Sequence, residues 1–497
     1  MKKIFRTISY LVFALIFIWV AAKLFLKDQV DFDQTVDRYL IEDLRVIYPD
    51  DALSLEPTSL NPAARLRILN IYEPLVKTDR DLNFEPGLAL SWGMVDDLTW
   101  AFELRSGVKF HDGSDFTVED VEASIERARS YRGSELVNFV DSIDAIEFLD
   151  DLHLRLHTKK PDPLLLLKLS NILMIPSEEA LDELPVGTGS YVLRSREPGI
   201  LTVLERFDGY WGELSQFETV HLLVKRNKSE RVNSFLTGDA DLLAFVPFDA
   251  AKVVEEKGFE ISSMPSLEVQ FLLFNFDSKI FKSLERRKVV SLAIDQNTLV
   301  EAVGGYARPV NQFVSNGIFG FNPEIAPHEY DLEKARQSLA KLEGKTVQVH
   351  LPLGLDILGE HIRQQLVDLG MKAVISYLDT PKLLESFSAG KADIYFLAFR
   401  ASTGDGSEFL KDVMASSADF NIANYSDQMI DQLIADSDQE LDPAIRLEIL
   451  QRAMKKLDED VVGVPLFEYE TLYAFSNKIL FEPRIDGVIY FDDLTKR

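Results

Sequence analysis

Alternation of apolar and polar residues predicts an antiparallel β-structure in the first third of the chain. The stretch Thr99–Leu104 places every second side chain on one apolar face, as in a half-buried strand. Ala145–Leu149 and Leu152–Leu156 alternate in the same way on either side of Asp150 and Asp151. A polar pair between two alternating runs is typical of a β-hairpin, so we expect these two strands to pair.

A helix with a defined beginning follows the first of these strands. Thr117 has the short hydroxyl side chain that favours a helix N-cap, and Asp120 lies three residues later, as in a capping box. Val118, Val121 and Ile125 then recur at spacings of three and four residues. The pattern therefore predicts an amphipathic helix that begins after Thr117.

The pattern changes after about residue 269, where strands and helices alternate. Gln270–Phe276 is a nearly continuous apolar run, which is typical of a buried strand. Val347–Leu351 and Lys372–Leu378 have strand character, and a helical pattern at 357–369 lies between them. Pro443–Asp458 is a long amphipathic helix. This rhythm predicts a mostly parallel sheet with helical crossovers.

The N-terminal 27 residues form a separate hydrophobic segment. Thr7–Leu26 is almost entirely apolar and follows three basic residues. Twenty residues span roughly 30 Å as a helix, which is enough to cross a hydrocarbon core. Residues 1–27 are thus interpreted as a membrane anchor, with a cleaved signal segment ending near Val20–Ala22 as the alternative. Both interpretations export the remainder of the chain.

Composition excludes several classes of function. The chain has 497 residues and a formal net charge of −28, so binding to nucleic acid through phosphate neutralisation is not expected. It contains no cysteine, which excludes disulfides, thiolate catalysis and cysteine-ligated metals. No G-x-S-x-G, H-E-x-x-H or P-loop motif occurs, so we expect neither an enzyme nor a cofactor.

Three motifs resemble those of one protein family. Tyr72–Val76 reads YEPLV, Pro86–Trp92 reads PGLALSW, and Leu104–Val121 reads LRSGVKFHDGSDFTVEDV. Their order, spacing and turn residues closely resemble the extracytoplasmic solute-binding proteins of family 5, which serve ABC importers of peptides, nickel and oligosaccharides. The segments Gly187–Leu193 and Tyr210–Gly212 resemble two further motifs of that family.

The resemblance implies a two-lobed α/β fold of the periplasmic-binding-protein type (type II, with an inserted subdomain), here preceded by an N-terminal transmembrane helix. It implies two crossings between the lobes, at Leu267–Phe276 and Val464–Phe475. The expected division is an anchor or signal segment at 1–27, a first-lobe core at 40–72, 185–268 and 468–497, an inserted subdomain at 73–184, and a second lobe at 269–467.

The resemblance also predicts where a ligand binds. Peptide-binding relatives carry a segment of the form WxxDxxDPxxFL in the second-lobe wall, and its first aspartate pairs with the ammonium of the peptide. Phe399–Leu410 is the matching segment here, so Phe399, Ala401, Ser402 and Asp405 become candidate ligand-binding residues. The position of the ammonium-binding aspartate holds Ser402, which carries no charge.

Arginines near the expected cleft suggest a different ligand charge. Arg400 lies in the same segment, and Arg65 and Arg67 lie where relatives approach the ligand from the first lobe. Three arginines indicate a carboxylate or phosphate, which a guanidinium binds with two parallel hydrogen bonds. The alternative is that they pair with the abundant surface carboxylates. Phe274 and Asn275 complete the candidate site.

The expected function is the substrate-binding component of an ABC importer. Such a protein captures an oligopeptide or similar small polar solute between its lobes and delivers it to permease and ATPase subunits. We expect a monomer at the outer face of the cytoplasmic membrane, or a periplasmic or secreted protein if residues 1–27 are cleaved. The alternative function is a binding-fold protein that no longer transports and acts as a cell-surface sensor, scaffold or adhesion module.

Overall fold

The computed structural model describes residues 43–177, 185–338, 342–401 and 403–497. The predicted anchor at 1–27 and the candidate Ser402 lie outside the described residues, as does the start of the first-lobe core at 40–42. Over the described ranges, no helix combines the length and the apolar character that a membrane crossing needs.

The strands of the described residues are numbered in chain order. They are β1 Asp43–Tyr48, β2 Val76–Thr78, β3 Phe84–Pro86, β4 Ala89–Asp96, β5 Thr99–Leu104, β6 Ile143–Asp150, β7 His153–Thr158, β8 Tyr191–Glu197, β9 Leu201–Arg206, β10 Thr219–Val224, β11 Leu242–Ala244, β12 Glu260–Phe274, β13 Ala307–Pro309, β14 Thr346–Pro352, β15 Lys372–Leu378, β16 Ile394–Arg400, β17 Gly463–Phe475, β18 Ile479–Leu480 and β19 Thr495–Lys496.

The α-helices of the described residues are referred to by their bounds. They are Pro62–Ile68, Val118–Ser130, Val137–Val140, Leu165–Leu169, Lys228–Leu236, Phe248–Glu256, Leu284–Leu292, Gln296–Ala302, Leu332–Gln337, Asp356–Asp368, Thr380–Ser388, Ser407–Phe409, Gln428–Ser437 and Pro443–Glu459. A π-helical turn at Leu410–Met414 continues the short helix that precedes it.

A large sheet organises the described residues. Its strand order is β15-β14-β16-β12-β17-β11-β1-β10-β9-β8, and β13 pairs with β17. We call β1 and β8–β11 the first half-sheet and β14–β16 the second half-sheet. The long strands β12 and β17 lie between them and pair with each other over most of their length. The division of the chain into the numbered domains above stays a prediction.

The prediction of a mostly parallel sheet with helical crossovers is confirmed for β14–β16 but is wrong for β12, β13 and β17. Strand β14 is parallel to both β15 and β16. Strand β12 is antiparallel to β16 and to β17, and β13 is antiparallel to β17. The reason is topological, because the chain enters the second half-sheet along β12 and returns along β17. Two strands that carry a chain out and back must run in opposite directions.

Helices cover both faces of the sheet, and strand alternation separates their cores. In β12, Val269, Phe271 and Leu273 contribute to one apolar cluster, whereas Leu272 and Phe274 contribute to another. Because successive side chains of a strand point to opposite faces, one strand serves two cores. This arrangement explains why the run Gln270–Phe276 lacks polar alternation, as the sequence indicates.

The hairpin and the capped helix predicted from the first third of the chain are confirmed. Strands β4, β5, β7 and β6 form a four-stranded antiparallel sheet. The helix Val118–Ser130 begins after Thr117, whose backbone amide donates to the Asp120 carboxylate at 2.8 Å. Val121 and Ile125 pack in the apolar cluster beneath this sheet.

Three of the sequence motifs meet at the buried carboxylate of Glu73, in the YEPLV segment. Glu73 is 1% exposed. It accepts hydrogen bonds from Thr188 Oγ1 at 2.9 Å, Tyr210 Oη at 2.9 Å and Trp211 Nε1 at 2.8 Å. Lys77 Nζ lies 2.6 Å from it. The motifs therefore have a shared structural role, since each supplies part of one buried polar network.

Candidate binding cavity between the half-sheets

A cavity of about 490 Å³ lies beside the strands that connect the two half-sheets. Pro265 and Leu267 of β12 and Thr471 and Tyr473 of β17 form part of its wall. This volume is within the range of small-molecule sites, which are commonly found between lobes or domains. The rest of the wall comes from both sides of the crossing, so the cavity is shared between distant parts of the chain.

The helix Pro62–Ile68 presents Arg65 to the cavity. Asn61 caps this helix by accepting from the Ala64 amide, and Pro62 occupies the first turn, where no amide donor is needed. Arg65 lines the cavity together with Pro62 and Leu66, three residues before and one after it. Its guanidinium donates to the Asn171 carbonyl at 3.2 Å. Burial lowers the pKa of Arg65 to about 10.

Arg67 lies on the opposite side of the same helix and does not line the cavity. It is 1% exposed, and its guanidinium stacks on the Tyr48 ring at 4.5 Å from the centroid. It donates to the Ala63 and Asp50 carbonyls. Residues two apart in a helix face roughly opposite directions, so only one of the two predicted arginines can reach the cavity.

Strand alternation divides the segment at the end of β16 in the same way. Arg400 lines the cavity and donates through Nη2 to the Asp486 carbonyl at 3.0 Å. Phe399 packs on Phe409 at 5.3 Å between ring centroids, against the core of the second half-sheet. Ala401 is 2% exposed and belongs to that core. The structure therefore brings Arg400, but neither of its neighbours, to the cavity wall.

Asp405 is held in a buried ion pair away from the cavity. Arg446 donates to both of its carboxylate oxygens, at 2.6 Å and 3.0 Å. Asp405 is 5% exposed and Arg446 is 4% exposed. The Ser407 amide also donates to Asp405, at 2.9 Å, so its carboxylate is bound within the protein by three hydrogen bonds and does not line the cavity.

Phe274 and Asn275 are also separated from the cavity. Phe274 is fully buried against Phe281, at 4.6 Å between ring centroids. Asn275 donates to the Ala392 carbonyl at 2.8 Å. Both residues follow Leu267 by at least seven positions along an extended strand, which corresponds to roughly 23 Å. The apolar run of β12 indicates burial, but it does not show which end of the strand meets the cavity.

Several charged residues of the cavity wall were not found from the sequence. They are Lys77, Glu408, Arg484 and Asp486. Three of them have ionic partners, because Lys77 pairs with Glu73 at 2.6 Å, and Arg484 and Asp486 pair with each other at 2.8 Å. Burial alone would lower the pKa of Lys77 and of Arg484, but these carboxylates raise both above their ordinary values. Lys77 directly follows the YEPLV motif, which is the one signal that could have indicated it.

Backbone strain is concentrated around the cavity. Leu82, Phe245 and Leu267 line it and have φ angles of 68°, 57° and 60°, in the left-handed region that favours glycine. The Glu468 carboxylate accepts from the Leu267 amide at 3.0 Å and holds this irregular point of β12. Gly404 has a φ of +82°, and a Cβ there would come 3.1 Å from Leu82. Strained residues of this kind occur where function constrains the backbone.

Comparison with known proteins identifies the family. The profile of the bacterial extracellular solute-binding proteins, family 5 (middle region), matches residues 83–421. The chain belongs to this family. The glutathione-binding protein GsiB of Salmonella paratyphi A is 26% identical over 486 residues, covering 91% of this chain and 94% of that protein.

Solved structures of similar shape confirm the two-lobed α/β fold of this family 5 protein. NikA from Brucella suis, in complex with Fe(III)-EDTA, gives a TM-score of 0.82 at 22% identity and covers 92% of this chain and 100% of that one. DppA from Helicobacter pylori, in complex with the peptide STSA, gives 0.71 at 22% identity and covers 91% and 98%. Proteins of family 5 are extracytoplasmic binding proteins of ABC importers, and they deliver solutes to permease and ATPase subunits.

Proposed function

We propose that this family 5 protein captures an oligopeptide or similar small polar solute in the cavity between the half-sheets and delivers it to a membrane permease. The observation that carries the proposal is the position of the cavity, whose wall includes β12 and β17 and residues from both sides of them. A ligand there contacts both parts of the fold at once, so its binding free energy favours a closed arrangement.

The size and the chemistry of the wall support a short peptide. About 490 Å³ suits a ligand of a few residues rather than a folded partner. The wall combines apolar side chains such as Leu66 and Phe139 with a small set of charged groups. The curated relatives at 25–26% identity are named as glutathione-binding, and glutathione is a tripeptide.

Binding by the full-length chain tests this proposal. Peptides, sugars and metal chelates are screened by thermal shift, and hits are measured by calorimetry and by solution scattering with and without ligand. A ligand at a hundred times its Kd is expected to stabilise the folded protein by about 2.7 kcal/mol. The proposal is wrong if no solute of any class stabilises the protein or changes its scattering.

A pull-down from membranes tests delivery. Recovery of permease and ATPase subunits is expected for an importer component. Recovery of other envelope proteins without a permease would instead indicate the sensor or scaffold function.

We also propose that residues 1–27 tether the protein to the membrane. Membrane fractionation of the full chain beside a variant that begins at Asp28 tests this. Equal release of both proteins from membranes would contradict it.

A further inference from the structure

Three charged side chains of the cavity wall have no ionic partner within the described residues. In the part of the chain that the structure describes, Arg65 donates to the carbonyl and the side-chain oxygen of Asn171, at 3.2 Å and 3.5 Å. Arg400 donates to the Asp486 carbonyl. Among the described residues, Glu408 accepts from Thr403, whose amide nitrogen lies 3.5 Å away. A guanidinium has five N–H donors and a carboxylate has about four acceptor positions, so each group keeps unused capacity.

Other charged residues of the cavity wall, in contrast, do have an ionic partner. Lys77 and Arg484 each have a carboxylate within 2.8 Å, and Glu73 also accepts from Thr188, Tyr210 and Trp211. Removing a charge from water without an ionic partner costs free energy. This cost applies to Arg65 and Glu408, which are partly buried, whereas Arg400 is exposed and stays in contact with water. Burial raises the pKa of the Glu408 carboxyl, because the ionised form loses hydration there. Two positive groups and one negative group thus remain for a ligand.

We propose that the cavity is specific for an acidic zwitterion, with Glu408 binding the ammonium of the solute and Arg65 and Arg400 binding two carboxylates. This inference rests on the proposed function and names the class of its solute. Ser402 has no charge with which to bind an ammonium group, so the proposal assigns that role to Glu408.

The positions of the three residues divide the solute into two ends. Arg400, the last residue of β16, and Glu408, in the short helix Ser407–Phe409, both line the cavity, so we assign to them the carboxylate and the ammonium of one end of the solute, as in an α-amino-acid head group. Arg65 lies on the helix Pro62–Ile68, which belongs to the other side of the cavity. A solute with a second carboxylate at its far end therefore connects the two sides.

Calorimetry on the full-length chain with matched probes tests the proposal. The probes are glutathione, which carries two carboxylates and one ammonium, its N-acetyl derivative, its diamide, and acidic and neutral tripeptides with free or acetylated amino groups. For the wild-type chain, acetylation of the amine is expected to weaken binding by roughly 30-fold or more, because a buried charge loses its partner. Conversion of the carboxylates to amides is expected to weaken it at least as much.

Variants then assign the effect to Glu408. Glu408→Gln is expected to weaken binding of free-amine probes by roughly 30-fold while leaving the acetylated probes unchanged. Glu448→Gln, at an exposed position of the helix Pro443–Glu459, is the matched control and is expected to change nothing. A merely structural role of Glu408 would weaken free-amine and acetylated probes equally, and that result would overturn the proposal.

The outcomes also separate this inference from the proposed function. If the protein binds neutral sugars or cationic peptides but no acidic zwitterion, the inference is wrong and the proposed function stands. If it binds no solute of any class, both are wrong. Equal affinity for glutathione and its N-acetyl derivative also overturns the assignment of Glu408, whatever the affinity for other solutes.

Discussion

The short segment from 403 to 409 faces the protein core on one side and the cavity on the other. Its two acidic residues lie on different sides and have different partners. On the core side, Asp405 meets Arg446 through two hydrogen bonds and is almost completely buried. On the cavity side, Glu408 lines the cavity and has no cationic partner among the described residues; it accepts from Thr403, whose amide nitrogen lies 3.5 Å away. The two carboxylates are three residues apart, yet one is fully partnered within the protein and the other is not.

The comparison distinguishes structural charges from charges available to a ligand. Both kinds are conspicuous in a sequence, and the polar run 403–408 does not show which is which. A buried carboxylate with a bidentate arginine is part of the architecture, because removing either partner leaves an uncompensated charge. A carboxylate without a cation beside a cavity raises the energy of the empty protein and lowers that of a suitable complex.

The largest effect is expected for the core side of the segment. Asp405→Asn leaves the buried Arg446 without its carboxylate, so we expect the free energy of unfolding to fall by about 3–5 kcal/mol. Urea denaturation of the full-length chain measures this. Glu329→Gln is the control, because it breaks the surface pair with Lys334 and should change stability by less than about 1 kcal/mol. A large loss of solute affinity with unchanged stability would show that Asp405 is a ligand-binding residue after all.

A second test removes the buried carboxylate on which the motifs converge. Glu73→Gln replaces an oxygen that accepts hydrogen bonds with an amide nitrogen that cannot, and it leaves Lys77 without its anion. We expect the free energy of unfolding to fall by about 2–4 kcal/mol. Glu85→Gln, on the exposed strand β3, should leave it unchanged. Equal stability of the two variants would mean that the network contributes nothing to the fold.

The fold could be predicted from the sequence where local pattern and motif agree. The capped helix after Thr117 and the hairpin at 143–158 form as expected, because turn residues, capping and alternation all favour the same structure. The direction of β12 and β17 could not be predicted, since it depends on how the chain returns from the second half-sheet. Local periodicity contains no information about that return.

The site was predictable only to the level of its segments. The resemblance located the helix at 62–68 and the end of β16, but it could not tell Arg65 from Arg67 or Arg400 from Phe399. Those differences depend on the rotation of a helix and on the phase of a strand, which are set by packing. Glu408 was missed because no sequence motif marks it. What distinguishes it is the lack of a cationic partner among the described residues, and partners are seen only in the three-dimensional structure.

The two arginines of the helix Pro62–Ile68 allow a matched pair of substitutions. Arg67→Met loses the hydrogen bonds to two carbonyls and the contact with Tyr48, so we expect stability to fall by about 1–3 kcal/mol. Arg65→Met is expected to change stability by less than about 1 kcal/mol but to weaken binding of an acidic solute at least tenfold.

Calorimetry and denaturation of both variants, with the exposed Arg452→Met as control, measure these differences. If Arg67→Met weakened solute binding more than Arg65→Met while both proteins stayed equally stable, the assignment of the two helix faces would be reversed.

The smallest expected effect concerns the cavity side of the segment in the absence of solute. Burial raises the pKa of Glu408 in the folded protein above its value in the unfolded chain, and the nearby Asp405 and Asp412 add to this rise. The folded state therefore binds the proton more tightly, and stability increases as the pH falls through the raised pKa. Arg65, Lys77, Arg400 and Arg484 are the basic residues of the same cavity wall. Glu408→Gln should accordingly be slightly more stable than the wild type at neutral pH.

Because the carboxyls of Asp412 and Asp492 also have a pKa raised by partial loss of hydration, the informative quantity is the difference between the two proteins. We expect Glu408→Gln to be the more stable protein near pH 7 and the advantage to disappear in acid, as denaturation at several pH values will show. A variant that is less stable than the wild type at neutral pH would mean that the ionised Glu408 stabilises the fold. In that case it would belong with Asp405 as a structural charge, and the distinction between the two sides of the segment would fail.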